Sequence, residues 1–479
     1  MSIRIAFFKR LFLRGQPFVF MLALLPLFFA RCAQAQVSFE RHYRFGEEDY
    51  ALTIREAADG SFLMAGYTSW PDSLEMALML CKLTSNGEVV WRLAPQPGRE
   101  NFGTDLLPGP LTETWAVVGT CSDSTGKKQG LWLLFNEQGE VLQTRIYEAN
   151  QPLTLRQGIR TSDGYILCGQ LYHPTNSNQF FLMKIGNDGE EIWRKDYGGI
   201  GNEYFKALML WPQGNGIVGV GDIQDANQPT DVVVVRMNLN GDSLGAKRYG
   251  NPFANGSQSL LAMPDGGFMV LGESAVAQNG PFQFYLLRLN AQADSVAGFE
   301  LGGPGSDAAF SGTVLSNGDL VVCGYSAAQP QQPISASLMR VTPQGQIAWL
   351  RRFQPDTLSI AYQLTACQDG GFALAATCYG PPTTALVMRT GADGLLNLPQ
   401  KNLAEAPTPF PNPVATGHPV RVIGDWLGRE LEIVDVHGRV CSTFTVTPNS
   451  GHSFCAPIPG CYLIRSRSSK GGKMLVVTP

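Results

Sequence analysis

One phrase recurs down the chain at a near-constant interval, and no other feature of the sequence restricts the fold as much. Aligned on the apolar residue that follows a turn, its copies read ADGSFLMAG, LTETWAVVG, TSDGYILCG, QGNGIVGVG, PDGGFMVLG, LSNGDLVVCG and CQDGGFALAA. The anchors are Phe62, Trp115, Tyr165, Ile217, Phe268, Leu320 and Phe372, 50 to 53 residues apart. Four residues after each anchor comes Gly66, Gly119, Gly169, Gly221, Gly272 or Gly324, and in the last copy Ala376. A stretch such as PDGGFMVLGES, met once, has the look of a ligand loop. Met seven times in register it is scaffold, because a site is singular and a scaffold repeats.

A second phrase keeps the same beat, from LCKLTSNGEVVW in the first unit to VMRTGADGLLN in the seventh. Lys82, Lys184, Arg236, Arg288, Arg340 and Arg389 share one position in it, with Leu134 the exception; Trp91, Trp193 and Trp349 fall four residues after the turn glycine. Each unit therefore holds four apolar runs of strand length separated by Asp-Gly or Asn-Gly turns, which are hairpin signals. Four antiparallel strands in a unit of about 50 residues make the blade of a β-propeller. The expectation is an all-β, seven-bladed propeller over residues 38–397, and 53 glycines with 31 prolines in 479 residues suit many short strands. A right-handed β-helix is the rival, but its coils are shorter and need no hairpins. The seventh unit trails off in GLLNLPQKN, while a lone fourth-strand phrase, SFERHYRFGEED, precedes the first unit. The N-terminal strand is expected to complete the last blade and remove two exposed edges.

Both sets of tight turns then lie on one face of the ring, and the longer second-to-third connections lie on the other. Those connections, or the central channel, are where a ligand is expected. Trp70, Tyr172, His173, Tyr325 and Tyr379 are their aromatic residues, set among Asn, Gln and Pro. Aromatic faces stack and amides hydrogen-bond, which suits a sugar ring or a peptide; packing on neighbouring loops is the plainer role. No G-x-S-x-G, H-E-x-x-H or phosphate-cradling glycine loop occurs, and of five histidines only His42 and His173 fall in the ring. No metal site, no cofactor and no catalytic residue is assigned, although channel carboxylates acting on a polysaccharide stay open as an alternative.

The N-terminus carries Arg4, Lys9, Arg10 and Arg14, an apolar run from Pro17 to Ala30, and Ala33-Gln34-Ala35. That order is expected of a signal peptide, residues 1–35, cut after Ala35. A 14-residue apolar run is short for a membrane span, and no second such run follows, so the mature chain is expected to have no transmembrane segment. Cleavage leaves 31 basic residues against 40 acidic, a net charge of −9, and no basic run; nucleic acid is an unfitting partner. The nine cysteines that remain have no C-x-x-C spacing, so an oxidising compartment permits disulfides but zinc is not expected.

A linker, residues 398–410, leads to a C-terminal module, residues 411–479, whose turns every 8 to 12 residues read as a small Ig-like β-sandwich. Its phrases come in a telling order: Pro411-Asn412-Pro413, LEIVDVHGRV with Gly438 and Arg439, GCYLI with Gly460 and Tyr462, and KMLVV from Lys473. This order resembles the type A sorting domain of the type IX secretion system. The ending VVTP departs from the basic terminus common there, and Cys441, Cys455 and Cys461 are extra cysteines suited to stapling the sandwich. The resemblance implies passage through the periplasm, recognition by the type IX translocon, and release or anchoring at the outer cell surface. The ring itself resembles propellers of surface proteins in Bacteroidota-like bacteria, a resemblance that implies a fold and no shared activity. GEVVW and GEEIW resemble the tryptophan-docking motif of quinoprotein propellers, which implies that the tryptophans lock neighbouring blades. The function expected is a surface or secreted binding module for a glycan or protein, with a polysaccharide hydrolase or lyase, or a structural envelope protein, as alternatives.

Overall fold

The structure is a computed structural model that describes residues 37–396, apart from 71–74, 176, 200, 212–215, 227 and 355–356, and short C-terminal stretches from 408 to 478. The expected signal peptide, most of the linker, and Pro411, Asn412, Pro413 and Gly438 lie outside the described residues. Residues 37–396 are all β, arranged as seven four-stranded antiparallel sheets. Sheet 1, for example, runs Glu48–Glu56, Phe62–Ser69, Met76–Leu83 and Val89–Leu93, with neighbours in sequence paired. Sheet 7 contains Ser359–Ala366, Phe372–Cys378 and Thr384–Thr390, and its fourth strand is Phe39–Tyr43 from the other end of the chain.

The first strand of each sheet packs on the second strand of the sheet before it, and the first strand of sheet 1 packs on Phe372–Cys378 of sheet 7, so the series closes on itself. Apolar side chains gather in wedges between neighbouring sheets, such as Phe39, Phe62, Met64, Ala373 and Val387 between sheets 7 and 1. Middle strands are covered on both faces and read as continuous apolar runs, as in the third strand of sheet 1, Met76–Leu83. Fourth strands face solvent on one side and alternate, as in Glu191–Tyr197.

The tight turns explain the repeated phrases. In PDGG, the Gly266 N–H donates to the Met263 carbonyl and the Met263 N–H to the Gly267 carbonyl, each at 3.0 Å, with Gly266 at φ +82°. This is a turn closed by a bulged glycine, with Pro264 holding the φ that its first corner needs. The recurring basic residue of the third strand then reaches the turn aspartate of its own sheet: Lys82 to Asp59 at 3.4 Å, Lys184 to Asp163 at 2.5 Å, Arg340 to Asp319 at 2.6 Å, Arg389 to Asp369 at 2.8 Å, and Arg288 to Asp265. The two phrases thus brace each other. Between sheets, the fourth-strand aromatic presses on the next turn glycine: Trp91 on Gly139, Trp193 on Gly241, Trp349 on Gly394, and Phe39 of the closing strand on Gly87.

The described C-terminal strands form a five-stranded sheet, which includes Glu430–Asp435, Val440–Thr445, Gly460–Ser466 and Gly472–Thr478, and a three-stranded sheet. Arg439 holds Asp435 across the turn at 3.0 Å, Tyr462 pairs with Asp435, and Lys473 pairs with Ile464. Cys441 and Cys461 are free and exposed, so these two do not staple the module to each other. Cys81, Cys121, Cys168, Cys323 and Cys367 are free and buried, small apolar side chains of the ring's interior.

Candidate functional site: the axial channel

Every first strand carries a β-bulge at the same level. The register slips between Ala51 and Thr53, Gly103 and Asp105, Leu155 and Gln157, Phe205 and Ala207, Ser257 and Ser259, Ala309 and Ser311, and Ala361 and Gln363. The glycine four residues after each anchor faces this bulge. A Cβ at Gly66, Gly119, Gly169, Gly272 or Gly324 would stand within 2 Å of a first-strand carbonyl oxygen, so in these five sheets the bulge leaves no room for one, whereas sheet 7 bulges opposite Ala376. The repeat glycine is therefore part of the site's construction, because a bulge re-aims one side chain.

The seven re-aimed residues are Leu52, Thr104, Arg156, Lys206, Gln258, Phe310 and Tyr362, and all of them line one cavity of about 520 Å³ to which every first strand contributes. The first strands are thus innermost, and the cavity is the axial channel of the ring. Leu52, Thr104, Arg156 and Lys206 also line a second cavity of about 530 Å³, with Phe102, Gln170 and Tyr204, so these four stand where the two cavities meet. Such volumes admit a sugar-sized or small peptide ligand.

The channel wall is two-sided. From sheet 2 through sheets 1 and 7 to sheet 6 runs a chain of aromatic rings. Phe102 meets Tyr67 edge-on at 4.9 Å, Tyr67 stacks on Tyr50 at 4.2 Å, and Tyr50 meets Tyr379 at 5.9 Å. Tyr379 and Tyr362 share a hydroxyl hydrogen bond, Tyr362 meets Phe310 at 5.5 Å, and Phe310 meets Tyr325 at 5.9 Å. Sheets 3 to 5 supply charge instead. Lys206 lies 3.4 Å from Asp222 and over the Tyr204 ring, and Asp222 accepts from the Ser257 N–H and hydroxyl, each at 2.7 Å. Glu273 accepts from the Tyr325 hydroxyl at 3.0 Å, joining the two walls. Arg156 donates to the Gln258 side-chain oxygen at 2.9 Å. Asp105, fully buried, takes Arg55 at 3.1 Å and the Leu106 N–H at 2.9 Å.

Burial sets the electrostatics. It pushes the Glu273 carboxyl up, with Tyr325 and Lys206 opposing and Asp222 adding. It pushes Lys206 down, helped by the neighbouring Arg156 charge and resisted by Asp222. Asp105 is raised by burial despite Arg55. These groups share a site in which moving a charge is costly.

The residues expected from the loops divide. Tyr325 and Tyr379 join the aromatic chain, where they contact the channel residues Phe310 and Tyr362. Trp70 is exposed at the end of its strand, and Tyr172 is exposed at the far end of Gly164–His173. His173 pairs with Asp196 at 3.1 Å and lines a shallow surface recess with Arg194 and Lys127. The structure does not bring these three to the channel. Arg156, Lys206, Asp222 and Glu273 escaped the sequence reading. A signal for the last two existed in the residue that follows each repeat glycine: Tyr67, Thr120, Gln170, Asp222, Glu273, Tyr325 and Thr377 vary where the scaffold around them does not. Among the described residues, no group of three or more His, Cys, Asp and Glu side chains could hold a metal ion, and no helix is long and apolar enough to cross a membrane.

No family model matches the sequence, and no curated protein does. Among solved structures, the chain is similar to the WD40 domain of Pan2 from Neurospora crassa at 10% identity and TM-score 0.46, over 71% of this chain and 89% of that one. It is similar to the β-propeller domain of the Trilobed protease from Pyrococcus furiosus at 8% identity and TM-score 0.42, over 75% and 99%. It is also similar to PorZ, a bacterial surface component of the type IX secretion system of Porphyromonas gingivalis, at 11% identity and TM-score 0.33, over 88% and 68%. At such values the likenesses bear on neither activity nor ligand.

Proposed function

We propose that this chain is an exported seven-bladed β-propeller that binds a glycan or protein ligand at its axial channel without turning it over. The observation that carries the reading is the two-sided channel wall, where Phe310 and Tyr362 offer ring faces and edges opposite Arg156, Lys206 and Gln258. Rings take up the flat faces of a ligand while charged and amide groups fix its polar edge, a division common in specific small-ligand sites. Tyr325 and Tyr379 back the channel residues Phe310 and Tyr362, and Trp70, Tyr172 and His173 would act only on a ligand that extends over the loop face.

Delivery is the role proposed for the C-terminal module. Its four phrases, in order behind a leader-like N-terminus, support recognition by a type IX translocon and placement at the outer surface. Removing residues 411–479 is then expected to leave the protein in the periplasm, read by fractionation; surface display of the truncated chain would overturn this.

A second reading is supported by Glu273 and Asp222. A carboxyl pushed up by burial beside a carboxylate that accepts hydrogen bonds is the pattern of an acid and base pair. A glycan-array screen beside turnover assays on the same sugars separates the readings. Binding with no product supports the module; release of reducing ends that Glu273→Gln and Asp222→Asn abolish would replace it with a hydrolase or lyase.

A further inference from the structure

We propose that Arg156, held by Gln258 and flanked by Lys206, is a subsite for the anionic group of an acidic glycan; the inference rests on the channel being the binding site. The charges of the channel are otherwise matched. Arg55 has Asp105, Lys206 has Asp222, and Lys128 at the mouth has Glu100. Among the described residues Arg156 has no carboxylate in ion-pair contact; it donates to an amide oxygen at 2.9 Å, and Asp222, already paired with Lys206, acts on it only through space. That bond uses one of the five donors of a guanidinium and orients the planar fork, leaving an edge of the geometry that grips a carboxylate through two parallel hydrogen bonds. The residue is also a bulge residue, aimed into the lumen where the two cavities meet. A charge with no carboxylate in direct contact, placed by a structural irregularity, is the arrangement a ligand's counter-charge completes.

The class of ligand follows from the rest of the lumen. An acidic peptide held in extended form would draw on the free inner edges of the first strands, but all seven are bulged at this level and offer no continuous ladder. Phe310 and Tyr362 occupy the opposite side at the same level, and the aromatic chain continues from them to Tyr50 and Tyr67. Rings opposite an anion-gripping arginine fit a sugar ring that bears a carboxylate.

Trigalacturonate, neutral galactotriose and triglutamate are titrated into the full chain by calorimetry at low and high salt. Trigalacturonate is expected to bind more tightly than the other two and to weaken as salt rises. Arg156→Gln is expected to weaken it by about tenfold or more, Arg156→Lys by less, and galactotriose binding by under twofold, which also reports that the variants fold. Equal binding of trigalacturonate by wild type and Arg156→Gln overturns the subsite. Arg156-dependent binding that favours triglutamate overturns the glycan class. Galactotriose binding that Tyr362→Ala weakens, without any trigalacturonate binding, overturns the subsite and leaves the channel standing; no binding of any of the three overturns both.

Discussion

Gly241 must hold φ at +79°, and the Trp193 ring lies 2.7 Å from where its Cβ would stand. Gly60 needs nearly the same φ, +78°, with nothing within 4 Å. The two separate backbone strain from overpacking. Gly60→Ala is expected to cost about 1 kcal/mol, the left-handed penalty alone, and Gly241→Ala about 2 to 4 kcal/mol once the displaced indole is added; chemical denaturation of both variants measures the difference. Nature has run the converse at Ala293, the same turn position in sheet 5, which keeps a side chain at φ +60°. Ala293→Gly is expected to stabilise the chain, by at most about 1 kcal/mol. These turn positions were legible because Asp-Gly and Asn-Gly are local signals. Glu273 was legible only as one variable residue after a repeat glycine, since taken alone it looks like any polar residue of a strand. Its carboxyl is raised by burial, so its contribution to stability is fully present below the ordinary glutamate range and is lost as pH rises through the raised value. Glu273→Gln is expected to match wild type in acid and to exceed it at neutral pH, where denaturation midpoints across pH read the crossover; a variant weaker at neutral pH would show the ionised group to be stabilising.

The closing strand puts Phe39 opposite Arg389, just as Trp349 stands opposite Arg340 and Trp193 opposite Lys184. An element from the far end of the chain thus lands on the beat of the repeat. Phe39 is buried, packs on Phe62 at 6.4 Å and covers Gly87. Phe39→Ala is expected to cost about 3 to 5 kcal/mol, the range for a buried aromatic truncated to a methyl, and to raise hydrogen exchange in both Thr384–Thr390 and Val89–Leu93. Loss of protection in the N-terminal strand alone would mean that it decorates the ring without closing it. This element was legible because its phrase was out of place, a fourth strand ahead of any first. The bulges were not. A bulge is a property of a pair of strands, and the only trace in one strand is the glycine opposite it. The sequence showed Gly66 to Gly324 at fixed spacing without showing that the room they leave is filled by a carbonyl. Of the aromatic residues expected in the loops, Tyr325 lies on Leu320–Ser326 and Tyr379 directly follows Phe372–Cys378, both beside the bulge residues, whereas Tyr172 and His173 lie at the far end of Gly164–His173.

Across the whole molecule, seven near-identical units surround a lumen that is not seven-fold. The inter-sheet wedges, turns and ion pairs repeat, whereas the bulge residues read Leu, Thr, Arg, Lys, Gln, Phe and Tyr in order round the ring. Repetition keeps the scaffold closed, and the positions it leaves free carry whatever specificity the lumen has. One consequence concerns cooperativity. A ligand in the channel touches first strands from several sheets at once, and each of those strands is packed between two neighbours. Binding should therefore stabilise the ring as one body, by about 2.7 kcal/mol at a ligand concentration of 100 times Kd. Exchange protection is expected to rise in Glu48–Glu56, Leu153–Thr161 and Ser359–Ala366 together, although these strands are far apart in sequence. In a chain that lacks residues 37–47 the ring has no fourth strand for sheet 7, and the same ligand should protect only the sheets it touches directly. Protection confined to one sheet in the intact chain would place the ligand on a loop, and the recess beside His173 and Arg194 would then be the place to look.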